Sequence, residues 1–156
     1  MRLFDLSGRV AVVTGGNGGI GLGIALGFAA AGASVVIAAR NATKSEAASA
    51  ALAAAGARSG CIALDVADES SCRAMVEETI DRYGRLDILV NNAGISIRKP
   101  PEAYSAAEWQ AVLDTNLTGA FFCSQAAHPA MKRVGGGKII NIGSMFAIFG
   151  AAYAAP

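Results

Sequence analysis

The chain has 156 residues, 53% of them hydrophobic and 16% charged, and carries a formal net charge of +1. One core suffices at that length, where roughly 70% of the unfolded surface can be buried. The same figures exclude disorder and a polyanion-binding surface, so nucleic acid is not an expected partner.

The N-terminus, MRLFDLSGRVAVV, has no apolar run of leader-peptide length after a basic start, and no stretch approaches the ~20 apolar residues of a membrane span. A cytoplasmic protein with no membrane partner is expected. Cys61, Cys72 and Cys123 are odd in number and contain no CxxC pair, so they read as buried small apolar residues and not as a disulfide framework or a metal site.

The first predicted strand is Arg9 to Thr14 (RVAVVT), and TGGNGGIG follows it directly at Thr14 to Gly21 before a helix over about Gly19 to Ala31. Glycines between a strand and a helix allow a tight turn and let the backbone approach a pyrophosphate, which the free N–H groups and positive dipole end of the helix attract. Two registers fit: Gly16, Gly18 and Gly21, or Gly15, Gly19 and Gly21.

A second strand, Ser34 to Ala39, ends at Ala39 and Arg40, where an NAD-binding fold usually offers Asp or Glu to the adenosine ribose. A carboxylate there would repel a 2′-phosphate, whereas Arg binds one through paired charge-assisted hydrogen bonds, so NADP is favoured and NAD remains possible.

A helix over about Ala42 to Ala55, a strand at Cys61 to Asp65 and a helix over Ser70 to Tyr83 come next. The fourth strand, Leu86 to Asn91, runs into NNAG, and a loop carrying Arg98 and Lys99 leads to a long helix predicted over Ala106 to Arg133. Ser105 and Glu108 at its start have capping-box spacing, and Trp109 is expected to anchor it in the core. His128, the sole histidine, has no carboxylate or cysteine at metal spacing and reads as a surface or packing residue. The fifth strand, Lys138 to Ile142, precedes Ser144. Strands that are nearly continuous in apolar residues and alternate with helices predict an α/β, doubly wound parallel sheet with its ligand crevice at the carboxyl ends of the strands.

TGGNGGIG, NNAG and IINIGS, in that order, resemble the short-chain dehydrogenase/reductase family over Phe4 to the last residue. The resemblance implies a single NAD(P)-binding Rossmann domain over 1–156, C-terminally incomplete, holding the first five strands of a seven-stranded sheet. It selects the Gly15, Gly19, Gly21 register, with Asn17 and Ile20 in the same loop and Thr14 supporting it. It further implies that Asp65 and Val66 flank the adenine, that Asn92, Ala93 and Gly94 line the ribose side, and that Ile142 touches the nicotinamide. Asn116, in DTNLTG, matches the family Asn that helps hold a proton-relay water, and Ser144 the Ser that hydrogen-bonds the substrate oxygen.

The family Tyr of YxxxK would fall at position 157, and Tyr153 reads as a loop residue, so the chain would lack both the proton donor and the Lys that lowers its pKa. The expectation is a portion of a homo-oligomeric enzyme, tetramer or dimer, interconverting a ketone and a secondary alcohol by hydride transfer. The overall look is similar to gluconate-type sugar-acid dehydrogenases and 3-oxoacyl reductases, with Arg98 favouring the former. A dinucleotide-binding module or sensor that does no chemistry is the alternative. Residues 1–156 alone are expected to be inactive and a poor independent domain, because the apolar run Lys138 to Ile142 would have an unpaired outer edge.

Overall fold

The computed structural model describes residues 4–153; the leader-peptide reading at Met1 to Leu3 and the expectation attached to the chain end at Pro156 fall outside them. Five parallel strands form one sheet: β1 (Val10–Thr14), β2 (Ser34–Ala39), β3 (Ser59–Ala63), β4 (Ile88–Asn91) and β5 (Lys138–Asn141), in the spatial order β3-β2-β1-β4-β5. The chain steps outward from β1 through β2 to β3, then crosses back to β4 on the other side of β1. That reversal leaves a crevice beyond the carboxyl ends of β1 and β4, where doubly wound sheets bind ligands.

Alternation of side chains along each strand builds two cores. Val10 and Val12 face one way and pack with Val36, Leu89 and the helices α3 (Glu69–Tyr83) and α5 (Gly119–Arg133). Ala11 and Val13 face the other way and pack with Val35, Ile37, Ala25 of α1 (Gly19–Ala30) and Leu52 of α2 (Ala42–Ala54). The starts of α2 and α3 are defined locally. Asn41 caps α2 by accepting from the Lys44 N–H at 2.9 Å, and the Asp68 carboxylate caps α3 by accepting from Ser70 and Ser71.

Several predicted boundaries move. The third strand is Ser59–Ala63 and not Cys61 to Asp65, because its pairing with β2 runs from Val35↔Ser59 to Ala39↔Ala63, and Gly60 is tolerated inside it. Leu86 and Asp87 precede β4, where Asp87 instead accepts from the Val10 N–H at 2.9 Å. The single helix predicted over Ala106 to Arg133 is three pieces: α4 (Ala106–Leu113), a π turn over Asp114–Thr118, and α5. Trp109 is 43% exposed and does not anchor α4 in the core; Val112 is buried instead. Cys72 and Cys123 are fully buried as expected, whereas Cys61 is only half-buried. All four residues of β5 are exposed, so the strand lies at the sheet edge without the two-sided cover that its apolar character suggests. No helix among the described residues is long and apolar enough to cross a membrane.

Candidate functional site

The loop after β1 takes the register based on Gly15. Gly15 and Gly19 have left-handed backbone, φ +62° and +50°, whereas Gly18 is extended at φ −179°. Gly21, buried in the first turn of α1, has no room for a side chain, since a Cβ would lie 2.6 Å from the Gly15 carbonyl oxygen. The loop therefore lies flat against the N-terminus of α1, whose first N–H groups have no partners within the helix.

Thr14 and Asn92 lock this loop to the end of β4. The Thr14 hydroxyl donates to the Val90 carbonyl at 3.2 Å and accepts from the Asn92 and Ala93 N–H groups, each at 3.0 Å. The Asn92 amide returns to the Thr14 carbonyl at 2.9 Å and the Gly15 carbonyl at 3.3 Å. The Thr14 hydroxyl and the Asn92 side chain together join the glycine loop to the end of β4.

Two clefts open on either side. One, of about 240 Å³, is bounded by Gly15, Asn17, Arg40, Lys44, Asp65 and Val66, among others. Arg40 is exposed at the end of β2, as the sequence places it. Asn17 donates to the Ser45 hydroxyl at 3.2 Å and the Asn41 carbonyl at 3.5 Å, which joins the glycine loop to the start of α2. Asp65 is exposed and accepts from the Ala67 N–H at 3.1 Å. Gly19 and Ile20 border neither cleft; they sit exposed at the start of α1.

The other cleft, of about 270 Å³, brings Asn116, Ile142 and Ser144 together with Asn92, Ala93 and Gly94. Val66, Ala93 and Gly94 border both clefts, so the two are halves of one groove. The Asn116 amide is fully engaged with the loop after NNAG, accepting from the Ile95 N–H at 2.8 Å and donating to the Ile95 carbonyl at 2.9 Å. It lies within the π turn, a widened backbone that recurs at functional sites. The Ser144 hydroxyl accepts from the Phe146 N–H at 3.1 Å, at the start of the short helix α6 (Phe146–Phe149).

Three features escaped the sequence reading. Lys44 and Asn41 border the Arg40 cleft, a placement set by the first turn of α2, and the α2 capping residue was the one available signal. Asn91 is buried at the floor of the second cleft, donating to Asn141 at 2.8 Å and Ser124 at 3.0 Å, with its own carbonyl oxygen unpartnered. Lys99 is ion-paired with Glu108, while the Arg98 guanidinium lies over the Phe146 ring at 5.7 Å. The pairing with Lys99 and the donors at Ser105 hold the Glu108 carboxyl down at about 2. Tyr153 is exposed in a turn, as its loop reading predicts, and His128 is exposed on α5. Among the described residues no group of three His, Cys, Asp or Glu side chains could hold a metal ion.

A family model described as short chain dehydrogenase matches residues 9–156. A 2-dehydro-3-deoxy-D-gluconate 5-dehydrogenase of Dickeya dadantii is 38% identical over 96% of this chain and 59% of its own length. A 3-oxoacyl-[acyl-carrier-protein] reductase of Synechocystis is also 38% identical, over 93% of this chain and 59% of its own. The chain therefore spans less than two thirds of the length of these curated relatives. The crystal structure of a metagenomic short-chain oxidoreductase in complex with NADP superposes with a TM-score of 0.90 at 37% identity, over 96% of this chain and 68% of that one.

Proposed function

Because the chain belongs to the short-chain dehydrogenase family, we propose that it forms the cofactor-binding part of an NADP-dependent oxidoreductase interconverting a ketone and a secondary alcohol. One observation carries this reading: a single groove runs across the switch point, with an exposed Arg40 in one half and Asn116 and Ser144 in the other. The residues fit a dinucleotide. The space that a Cβ at Gly21 would fill is closed off, and Gly15 and Gly19 turn the loop so that a pyrophosphate can approach the α1 N-terminus. The bound nicotinamide would supply the hydride donor or acceptor.

The chain's own residues bind and orient. Arg40, with Lys44 beside it, pairs with the 2′-phosphate, which supports NADP over NAD. Asp65 accepts from the adenine amine and Val66 packs on the ring; Asn17 and Ile20 belong to the loop that holds the pyrophosphate. Ala93 and Gly94, fixed by Asn92 and Thr14, line the ribose side, and Ile142 borders the nicotinamide. The Ser144 oxygen already accepts from Phe146, so its proton is free to donate to the substrate oxygen. Asn116 holds the backbone at Ile95 and so positions the loop over the proton-relay water.

Arg98 supports an acidic sugar substrate over a 3-oxoacyl one. Its guanidinium lies over the ring of Phe146, two residues beyond Ser144, and has no ion-pair partner among the described residues. Exposed Leu117 and Phe121 on the π turn and α5 support a homo-oligomer, a dimer or tetramer. The test is NADPH-linked turnover of keto sugar acids, 3-oxoacyl thioesters and neutral ketones by the intact, full-length protein, since residues 1–156 alone lack the expected proton donor. Turnover with NADPH, fastest for the sugar acids, is expected; reduction of none of the three classes would overturn the assignment.

A further inference from the structure

Cys72 and Cys123, 51 positions apart in sequence, meet with Sγ atoms 3.4 Å apart where α3 packs on α5. The Cys123 S–H donates to the Cys72 sulfur, and the Cys72 S–H donates to the Val66 carbonyl at 3.5 Å. Val66 in turn borders both halves of the groove and is pressed against α5: a Cβ at Gly119 would lie 2.8 Å from the Val66 Cβ and 2.9 Å from its carbonyl oxygen. The two thiols thus lie directly behind the segment that borders the adenosine half of the groove.

We propose that Cys72 and Cys123 are a redox-sensitive dithiol whose oxidation to a disulfide loosens the grip of the groove on its dinucleotide. The pair is next to the required geometry. An S–S bond of about 2.05 Å asks each sulfur to move by well under 1 Å toward the other. Hydrogen peroxide is the oxidant, and because both sulfurs are fully buried it reaches them by local opening of the fold. The Cys72 sulfur attacks one peroxide oxygen, breaking the O–O bond and releasing water as Cys72 becomes a sulfenic acid. The Cys123 sulfur then attacks Cys72, the S–O bond breaks and a second water leaves, so two thiols lose two electrons and two protons to one peroxide. The donated Cys123 S–H favours the Cys72 thiolate and makes Cys72 the first to react.

Oxidation removes the S–H that satisfies the Val66 carbonyl and draws α3 toward α5 while Gly119 leaves Val66 no room to follow. The affinity arm of the test rests on the cofactor reading above; the covalent arm does not. In the intact protein carrying Cys61→Ser, one equivalent of peroxide is expected to lower the mass by 2 Da, remove the Cys72 and Cys123 thiols, and weaken NADPH binding by severalfold, all reversed by dithiothreitol. Cys123→Ser and Cys72→Ala, each checked for a cooperative melt, should lose the reversible affinity change. If both thiols stay reactive toward a thiol reagent in the unfolded peroxide-treated protein, or if the disulfide forms with NADPH affinity unchanged, the proposal is overturned. Reduced protein that binds no NADPH would overturn the cofactor reading, while the mass and thiol count would still decide whether the disulfide forms.

Discussion

Ser144 and Asp87 show how far single side chains carry the account. In the proposed role, removing the Ser144 hydroxyl takes away the donor to the substrate oxygen, and in the fold it costs one exposed hydrogen bond from the Phe146 N–H. Ser144→Ala in the intact protein should lower kcat by ~10² to 10³, about 2.7–4 kcal/mol of transition-state stabilisation, with NADPH affinity unchanged; steady-state kinetics beside a binding titration check both halves. Asp87 sits at the opposite end of the sheet, with its side chain 5% exposed. Burial pushes its pKa up, but hydrogen bonds from Arg85, the Val10 N–H and Arg9 outweigh burial and leave it below the ordinary value. A lowered carboxyl pKa contributes stability that is present above the unfolded value near 3.8 and lost as pH falls through the folded one. Asp87→Asn should therefore destabilise by about 1–3 kcal/mol at neutral pH, chiefly through the lost charge-assisted hydrogen bonds from Arg85 and Arg9, and the gap to wild type should narrow in urea melts below that value. The positive φ of Gly15 and Gly19 could be anticipated from the glycine pattern because steric demands on a tight turn are local, whereas the Asn92 side chain holding the Thr14 and Gly15 carbonyls could not. Asp87 was not legible either, since its partners Arg9 and Val10 lie 77 or more positions away.

At the scale of elements, helix and strand identity followed from hydrophobic period, and the α4 start from the Ser105 and Glu108 spacing. Both capping hydrogen bonds are present. Ser105→Ala should cost about 1 kcal/mol in a thermal or urea melt. Glu108, held at about 2 by Lys99 and Ser105, contributes above its ordinary value of 4.5 and loses that contribution as pH falls from there toward 2. Glu108→Gln should thus lower the melting temperature at neutral pH and match wild type near pH 2. The break in the long helix was not legible, because DTNLT has no Pro or Gly to mark it; the π turn depends on Asn116 gripping the Ile95 backbone across space. Trp109 was misread for a related reason, since capping fixes where α4 starts and says nothing about which face is buried. Asn116→Leu should melt the loop after NNAG first, seen as faster amide exchange at residues 95–97.

The whole molecule was legible in its order of elements, which fixes a doubly wound sheet with its switch point between β1 and β4. The exposure of β5 was expected both from its unpaired outer edge and from the lack of a helix and strands covering Lys138 to Ile142. Ile139 and Ile140 are 38% and 40% exposed, and Ile148 and Phe149 lie open nearby at 75% each. A polypeptide of residues 1–156 alone should therefore self-associate, read as concentration-dependent light scattering, with charged substitution at Ile140 reducing it. The groove at the switch point is the feature on which every functional statement depends, and its occupant can be measured directly. Titrating the intact protein with NADPH and with NADH, followed by cofactor fluorescence, should give the tighter constant for NADPH, and Arg40→Ala should erase that difference while sparing NADH. Equal or tighter binding of NADH to the wild type, or no binding of either, would contradict the account.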